Sequence, residues 1–218
     1  MLRCDAERAE FQQRIASIRL LLDEAHPQGH ATAISREVRG IAIVLLYAAY
    51  ENLLKSVCRS TLETAARLRV GNRRLRPGLK LIAAYGKFQA VASSKPTTIW
   101  KVGFDVVDTL HESQQCSILP NTFPNDGSNF RQSQISTVCK VLGLSDPAPV
   151  LREAWEKVNA VVAERNSIAH GQRAPGEVGR NYSLAELTDL VDIWEVRWND
   201  FLDWLEQSAS NRDFFRTP

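Results

Sequence analysis

Apolar residues recur along this chain at helical steps, and nowhere over a useful length at the alternating steps of a half-buried strand. Between Asp5 and Ala25, Phe11, Ile15, Ile18 and Leu22 follow one another at intervals of four, three and four, the spacing of one helical face. "HPQGH" breaks the pattern with Pro27 and Gly29. It resumes near Thr32 and runs to Val70 with Gly40 as its one breaker, the longest helix the sequence predicts. Ile41 to Tyr50 is apolar on every side, which predicts a central helix with neighbours all round it. "GNRRLRPG" ends that helix. Shorter helices are expected over Leu79 to Ala92 and Phe104 to Glu112. Ser113 to Arg131 has the Ser, Gln, Asn, Pro, Asp and Gly composition of a loop.

"SQISTVCKVLGL" then predicts a short helix closing near Gly143, and Asp146 before Pro147 caps the next start. Val150, Trp155, Val158, Val162 and Ile168 give that second long helix its apolar face, and Gly171 ends it. The last helix opens on "SLAE", where Ser183 and Glu186 have the spacing of a capping box; Leu184, Leu187, Val191, Trp194, Trp198, Phe201 and Leu205 form its buried stripe. Trp194, Trp198 and Trp204 therefore belong to core and interface. The expected fold is all-α: one domain over 1–218, a bundle of four main helices, with 87–132 a possible inserted middle region of short helices and loop.

With 44% hydrophobic and 24% charged residues over 218 positions, the chain can bury a core without staples. Its net charge of only +2 excludes whole-molecule attraction to a polyanion, so any such binding is local. The run "RLRVGNRRLRPG", with Arg67, Arg69, Arg73, Arg74 and Arg76, could hold phosphates or simply be a solvated basic turn. Cys4, Cys58, Cys116 and Cys139 form neither the close pairs of a zinc site nor a compact disulfide framework, and four free thiols suit a reducing cytoplasm. "MLRCDAERAEFQQR" lacks the apolar core of a signal peptide. "GIAIVLLYAAY" falls short of the roughly 20 residues a membrane span needs, so it is read as a buried helix and no membrane is expected. His26 and His30 are expected in a loop, without a metal, and His111 at a solvated helix end.

"RNSIAHG", from Arg165 to Gly171, carries the chemistry worth weighing. In an unbroken helix the side chains of Arg165 and His170 would diverge by about 140°. A helix ending at Ala169 to Gly171 would instead put His170 on a looser last turn. Histidine exchanges protons near neutrality, and arginine presents a planar fork that matches phosphate oxygens. Asn166 and Ser167 could add hydrogen bonds to a phosphate or to the imidazole. A basic residue in the last turn followed by glycine is equally an ordinary helix end. Glu51 closes the apolar run and shares a stripe with Tyr47 and Lys55 at four-residue steps; it is either part of a site or one half of a surface pair with Lys55.

"ERNSIAHG" resembles the Arg-polar-x-x-x-His signature of the HEPN (higher eukaryote and prokaryote nucleotide-binding) superfamily. "LLYAAYENLLK" and "DGSNFRQSQISTVCKVLGL" are similar to segments that precede the motif helix there. The likeness runs in order from about Glu37 to Leu205, nearest to the bacterial toxin-like and RiboL-PSP types. It implies a metal-independent endoribonuclease without a cofactor, in which the ribose 2′-hydroxyl attacks the adjacent phosphate. Carried over, Arg165 would stabilise charge on the phosphoryl oxygens, His170 would transfer protons, Asn166 would orient one of them, and the Glu51 carboxylate would pair with Arg165. Tyr47, Lys55, Ser167, Arg73 and Arg74 are the expected contacts to the RNA substrate. One histidine per chain implies a homodimer sharing a cleft. The role implied is a toxin or anti-phage effector with an antitoxin or defence partner; the alternative is a non-catalytic HEPN module binding a nucleotide or a partner protein.

Overall fold

The structure is a computed structural model and describes residues 2–114, 117–123, 130–210 and 214–216. Cys116 and much of the predicted loop around it lie outside the described residues. Among the described residues no strand occurs; Leu75 and Arg216 form an isolated antiparallel bridge. The helices are α1 (Asp5–Ala25), α2 (Ser35–Ala66), α3 (Pro77–Ala83), α4 (Tyr85–Ala92), α5 (Ile99–His111), α6 (Gln132–Leu142), α7 (Ala148–Ala169), α8 (Pro175–Gly179) and α9 (Leu184–Ser208), with 3₁₀ turns at Pro27–Gly29 and Asn72–Arg74. The four long helices α1, α2, α7 and α9 form the bundle, with α2 touching each of the other three.

Local chemistry sets these elements much as their spacing demands. Phe11, Ile15, Ile18 and Leu22 are all buried, and Arg8 clamps α1 to α9 through Asn199 at 2.9 Å and Asp203 at 2.6 Å. Ser183 Oγ accepts from the Glu186 amide at 3.2 Å while Glu186 accepts from the Ser183 amide at 2.7 Å, the reciprocal capping box. Asp146 accepts from the Ala148 amide at 3.1 Å at the start of α7, which is kinked at Arg152 (φ 43°, ψ −117°). An aromatic column fills the centre. Tyr50 stacks on Trp198 with centroids 5.2 Å apart, and Trp194 and Phe201 meet Trp198 edge-on. Each such pair adds about 0.5–1.5 kcal/mol beyond area burial. Trp194 and Trp198 are fully buried core residues, and Trp204 packs against the core at its margin.

Several expectations are corrected. α2 is not enclosed all round: Ile41 and Leu45 are 39% and 37% exposed along one edge. It ends at Ala66, not Val70, and Arg69 beyond it has a positive φ of 52°. The predicted helix over Leu79 to Ala92 is two helices broken at Ala84, and α5 begins at Ile99, five residues before Phe104. Ile168 is only half-buried and stands outside the core, to which α7 contributes Leu151, Ala154 and Val161 besides the expected Val158 and Val162. His26 lies in the connection after α1, as expected, but is not solvated. It is buried at the end of α1, its Nδ1 2.8 Å from the Leu22 carbonyl and its Nε2 3.5 Å from Arg39. By length and composition α2 could cross a membrane, because the helix extends well beyond its most apolar stretch; here its apolar faces are taken up largely by α1, α7, α8 and α9.

The tightest packing is backbone on backbone. The short helix α8 sits on the first turns of α2, where a methyl group on Gly40 would enter the Pro175 carbonyl and one on Gly179 would enter that of Arg36. Arg39 Nε donates to the Gly179 carbonyl at 3.0 Å across the same contact.

This packing predicts opposite outcomes for two helical glycines. Gly40→Ala gains about 1 kcal/mol of helix propensity but forces a backbone displacement costing about 3 kcal/mol, so the net is a loss of about 2 kcal/mol. Gly103→Ala in α5 meets open space and gains about 0.8–1 kcal/mol. Urea midpoints at constant slope measure both.

Candidate active site

Gly40, Tyr47 and Glu51 lie at steps of seven and four, so one face of α2 carries the glycine seat and, two turns on, the expected site. α7 reaches this face with its last turns. The Arg165 guanidinium lies 4.4 Å from the Tyr47 ring centroid, a cation–π stack on a buried aromatic, and its Nη1 donates to Asn166 Oδ1 at 2.9 Å. Glu51 Oε1 accepts from Lys55 Nζ at 2.8 Å, and its carboxylate lies close enough for its charge to act on the Tyr47 hydroxyl. The structure thus joins Lys55, Glu51, Tyr47, Arg165 and Asn166 in one chain of contacts.

The pairing within that chain differs from the expectation. Glu51 does not grip the Arg165 fork; among the described residues Arg165 has no carboxylate ion pair. Glu51 meets the lysine one turn along its own helix, and the Tyr47 ring takes the guanidinium's face. Burial and then the Glu51 charge push the Tyr47 phenol up to about 12, against the opposing pull of Arg165. Tyr47 therefore stays protonated at neutral pH and is not a base.

The end of α7 is set by a Schellman motif. The Gln172 amide donates to the Ser167 carbonyl at 2.8 Å, the Gly171 amide donates to that of Ile168 at 3.0 Å, and Gly171 takes φ 68°. His170 is the C-cap residue, exposed, and its ring has no partner among the described residues. Ser167 differs from the expectation: its hydroxyl is turned back to the Glu164 carbonyl at 2.7 Å. Arg73 and Arg74 are not brought here. They follow the far end of α2, and Tyr47 and Ala66 are 19 residues apart, about 28 Å along the axis.

Two features escaped the sequence reading. Tyr182, just before α9, donates to Glu164 Oε2 at 2.5 Å and ties the returning chain to the residue preceding Arg165. Arg131, at the start of α6, lies close enough for its charge to act on Tyr50, whose hydroxyl donates to the neighbouring Phe130 carbonyl at 3.2 Å. Lys55 also lies 6.0 Å from the Phe130 ring. Neither tie has a local signal, because each joins segments remote in sequence. The described thiols, Cys4, Cys58 and Cys139, offer no nucleophile: burial pushes Cys4 and Cys139 up to about 12 and Cys58 higher still. Among the described residues no three His, Cys, Asp or Glu side chains cluster as a metal site would need.

The order of these parts along one all-helical chain matches a known pattern: the family model described as RiboL-PSP-HEPN matches residues 9–201. The chain belongs to the RiboL-PSP-HEPN family. No curated protein and no solved structure matches it significantly. Arg165, on the last turns of α7, and His170, its C-cap, both lie within the matched residues.

Two outcomes follow from this geometry. Gly171→Ala should cost about 1–2 kcal/mol, the penalty of a left-handed residue with a Cβ, while Gly171→Asn should recover part of it; thermal melting reads both. The phenol of Tyr47 is raised from 10.0 to about 12, so its contribution is complete below pH 10 and is lost as pH rises to 12. Tyr47→Phe should flatten that alkaline decline in denaturant-derived stability.

Proposed function

We propose that this HEPN protein is a metal-independent endoribonuclease working as a homodimer in the cytoplasm, as a toxin or anti-phage effector held in check by a partner protein. The observation that carries the reading is the Arg165 fork, spread on the buried Tyr47 ring and steadied by Asn166, about one turn from an exposed His170 whose ring has no partner among the described residues. Such a guanidinium is oriented yet retains most of its five donors for phosphoryl oxygens. The nearby cations Lys55 and Arg131 add to the local attraction for a phosphate backbone.

In the reaction, His170 of one protomer removes the proton from a ribose 2′-hydroxyl and the freed oxygen attacks phosphorus. The bond from phosphorus to the 5′ oxygen breaks, and the second protomer's imidazole gives that oxygen a proton. The products are a 2′,3′-cyclic phosphate and a 5′-hydroxyl. Arg165 stabilises the charge that grows on the non-bridging oxygens, and Asn166 keeps the fork in register. The open edge of α2, with Ile41 and Leu45, adjoins the face bearing Glu51 and Lys55 and suits pairing of two chains beside the site.

The decisive experiment is cleavage of single-stranded and loop-containing RNA by the purified protein. His170→Ala and Arg165→Ala should each lower the rate at least about 100-fold with unchanged circular dichroism, and a 2′-deoxy substitution at the cleaved position should block it. Activity should persist in a chelator. Equal cutting by both variants would remove the assignment.

A further inference from the structure

We propose that α5 is a docking helix that inserts Trp100, Phe104 and Val107 into an apolar, basic-rimmed groove of a different protein. These three residues follow at steps of four and three, so they share one stripe of the helix. They are 80%, 68% and 51% exposed, although α5 is a strongly amphipathic helix of thirteen residues. Its opposite face does the holding: Val106 is buried, α4 packs alongside, and the Thr109 carbonyl accepts from Asn72 Nδ2 at 2.8 Å. The helix is thus held to the body along the side that carries Val106, while Trp100, Phe104 and Val107 stand in solvent.

The form of the occupant follows from area and charge. Taking about 150–250 Å² for each aromatic side chain, the stripe exposes on the order of 400 Å² of apolar surface. That is about half of the roughly 800 Å² one partner contributes to a standard interface. Two α5 helices laid face to face would bury too little, whereas a groove also covers the flanks of the helix. Steps of four and three between large anchors are those by which an amphipathic helix fills such a groove. One flank carries the exposed acids Asp105 and Asp108 with Lys101, none of them in an ion pair among the described residues, so the facing rim is basic. The other flank holds Gly103, with open space where a side chain would be, and a groove wall can approach closely there.

A second copy of this chain fits the stripe poorly on functional grounds as well. α5 is attached beyond the C-terminal end of α2 through Asn72 and Arg73, about 28 Å along the axis from Tyr47. Pairing there would not bring two copies of the Arg165 and His170 region together. That mismatch depends on the proposed nuclease dimer, whereas the area and charge of the stripe favour a different protein whether or not the chain cuts RNA.

The test uses the full chain carrying the photo-crosslinking residue p-benzoylphenylalanine at Trp100 or Phe104, or at Leu20, a control 62% exposed on α1. After irradiation in cells of the source organism, adducts are identified by mass spectrometry, and the captured protein is purified and titrated calorimetrically. The expected result is one protein crosslinked from both α5 positions and not from Leu20. Its Kd should rise at least about 30-fold with Phe104→Ala, and should also rise with Asp105→Lys and Asp108→Lys together, while circular dichroism stays unchanged. Adducts only with a second copy of this chain, no adduct above the Leu20 control, or an affinity indifferent to Phe104→Ala and to the charge reversal would each overturn the proposal.

Discussion

The contact between α8 and the first turns of α2 governs the rest of the molecule. Two helical backbones meet there with no side chain between them, which only glycine permits at Gly40 and Gly179. α8 begins six residues after Ala169, so seating it on α2 fixes where the chain must go once α7 ends. The left-handed turn at Gly171 supplies that change of direction, and the Tyr182 hydroxyl on Glu164 closes the returning loop against α7. His170 is consequently held at a defined point of the backbone while its ring stays exposed. A covering side chain at either glycine would lift α8 and release the loop that positions it.

The same face of α2 continues from Gly40 to Tyr47 and Glu51, so one helix supplies both the anchor and the floor of the candidate site. Tyr47 touches Tyr50 edge-on at 5.3 Å, and Tyr50 stacks on Trp198. The ring under Arg165 is therefore one end of the aromatic column. Packing of the bundle is transmitted to the guanidinium through three contacts, which gives the long, flexible arginine side chain a rigid base.

Much of this was legible in the sequence wherever a local rule acts on neighbouring residues. The apolar stripe of α1, the Ser183 capping box, Asp146 at the start of α7 and the glycine closure after His170 each depend on residues within a turn or two. The misreadings share another cause. Uniform apolarity from Ile41 to Tyr50 shows that a helix has partners but not which edge lacks one, so Ile41 and Leu45 were expected inside. α3 and α4, with seven and eight residues, hold too few apolar positions to reveal the break at Ala84. The burial of His26 and the tie between Tyr182 and Glu164 join positions 13 or more apart, and periodicity carries no information about them.

Charge around Arg165 explains how a protein with a net charge of only +2 can hold a locally attractive point for an anion. Two nearby carboxylates already have partners: Glu51 binds Lys55, and Glu164 binds Tyr182. Arg165 instead leans on a neutral ring and a neutral amide. Had Glu51 taken the guanidinium directly, the arginine would be better fixed, but its fork would be occupied and its charge offset. Interposing Tyr47 separates the two tasks, since the ring and Asn166 orient the cation without neutralising it. Orientation with charge left over is what an arginine needs to bind a phosphoryl group arriving from solution.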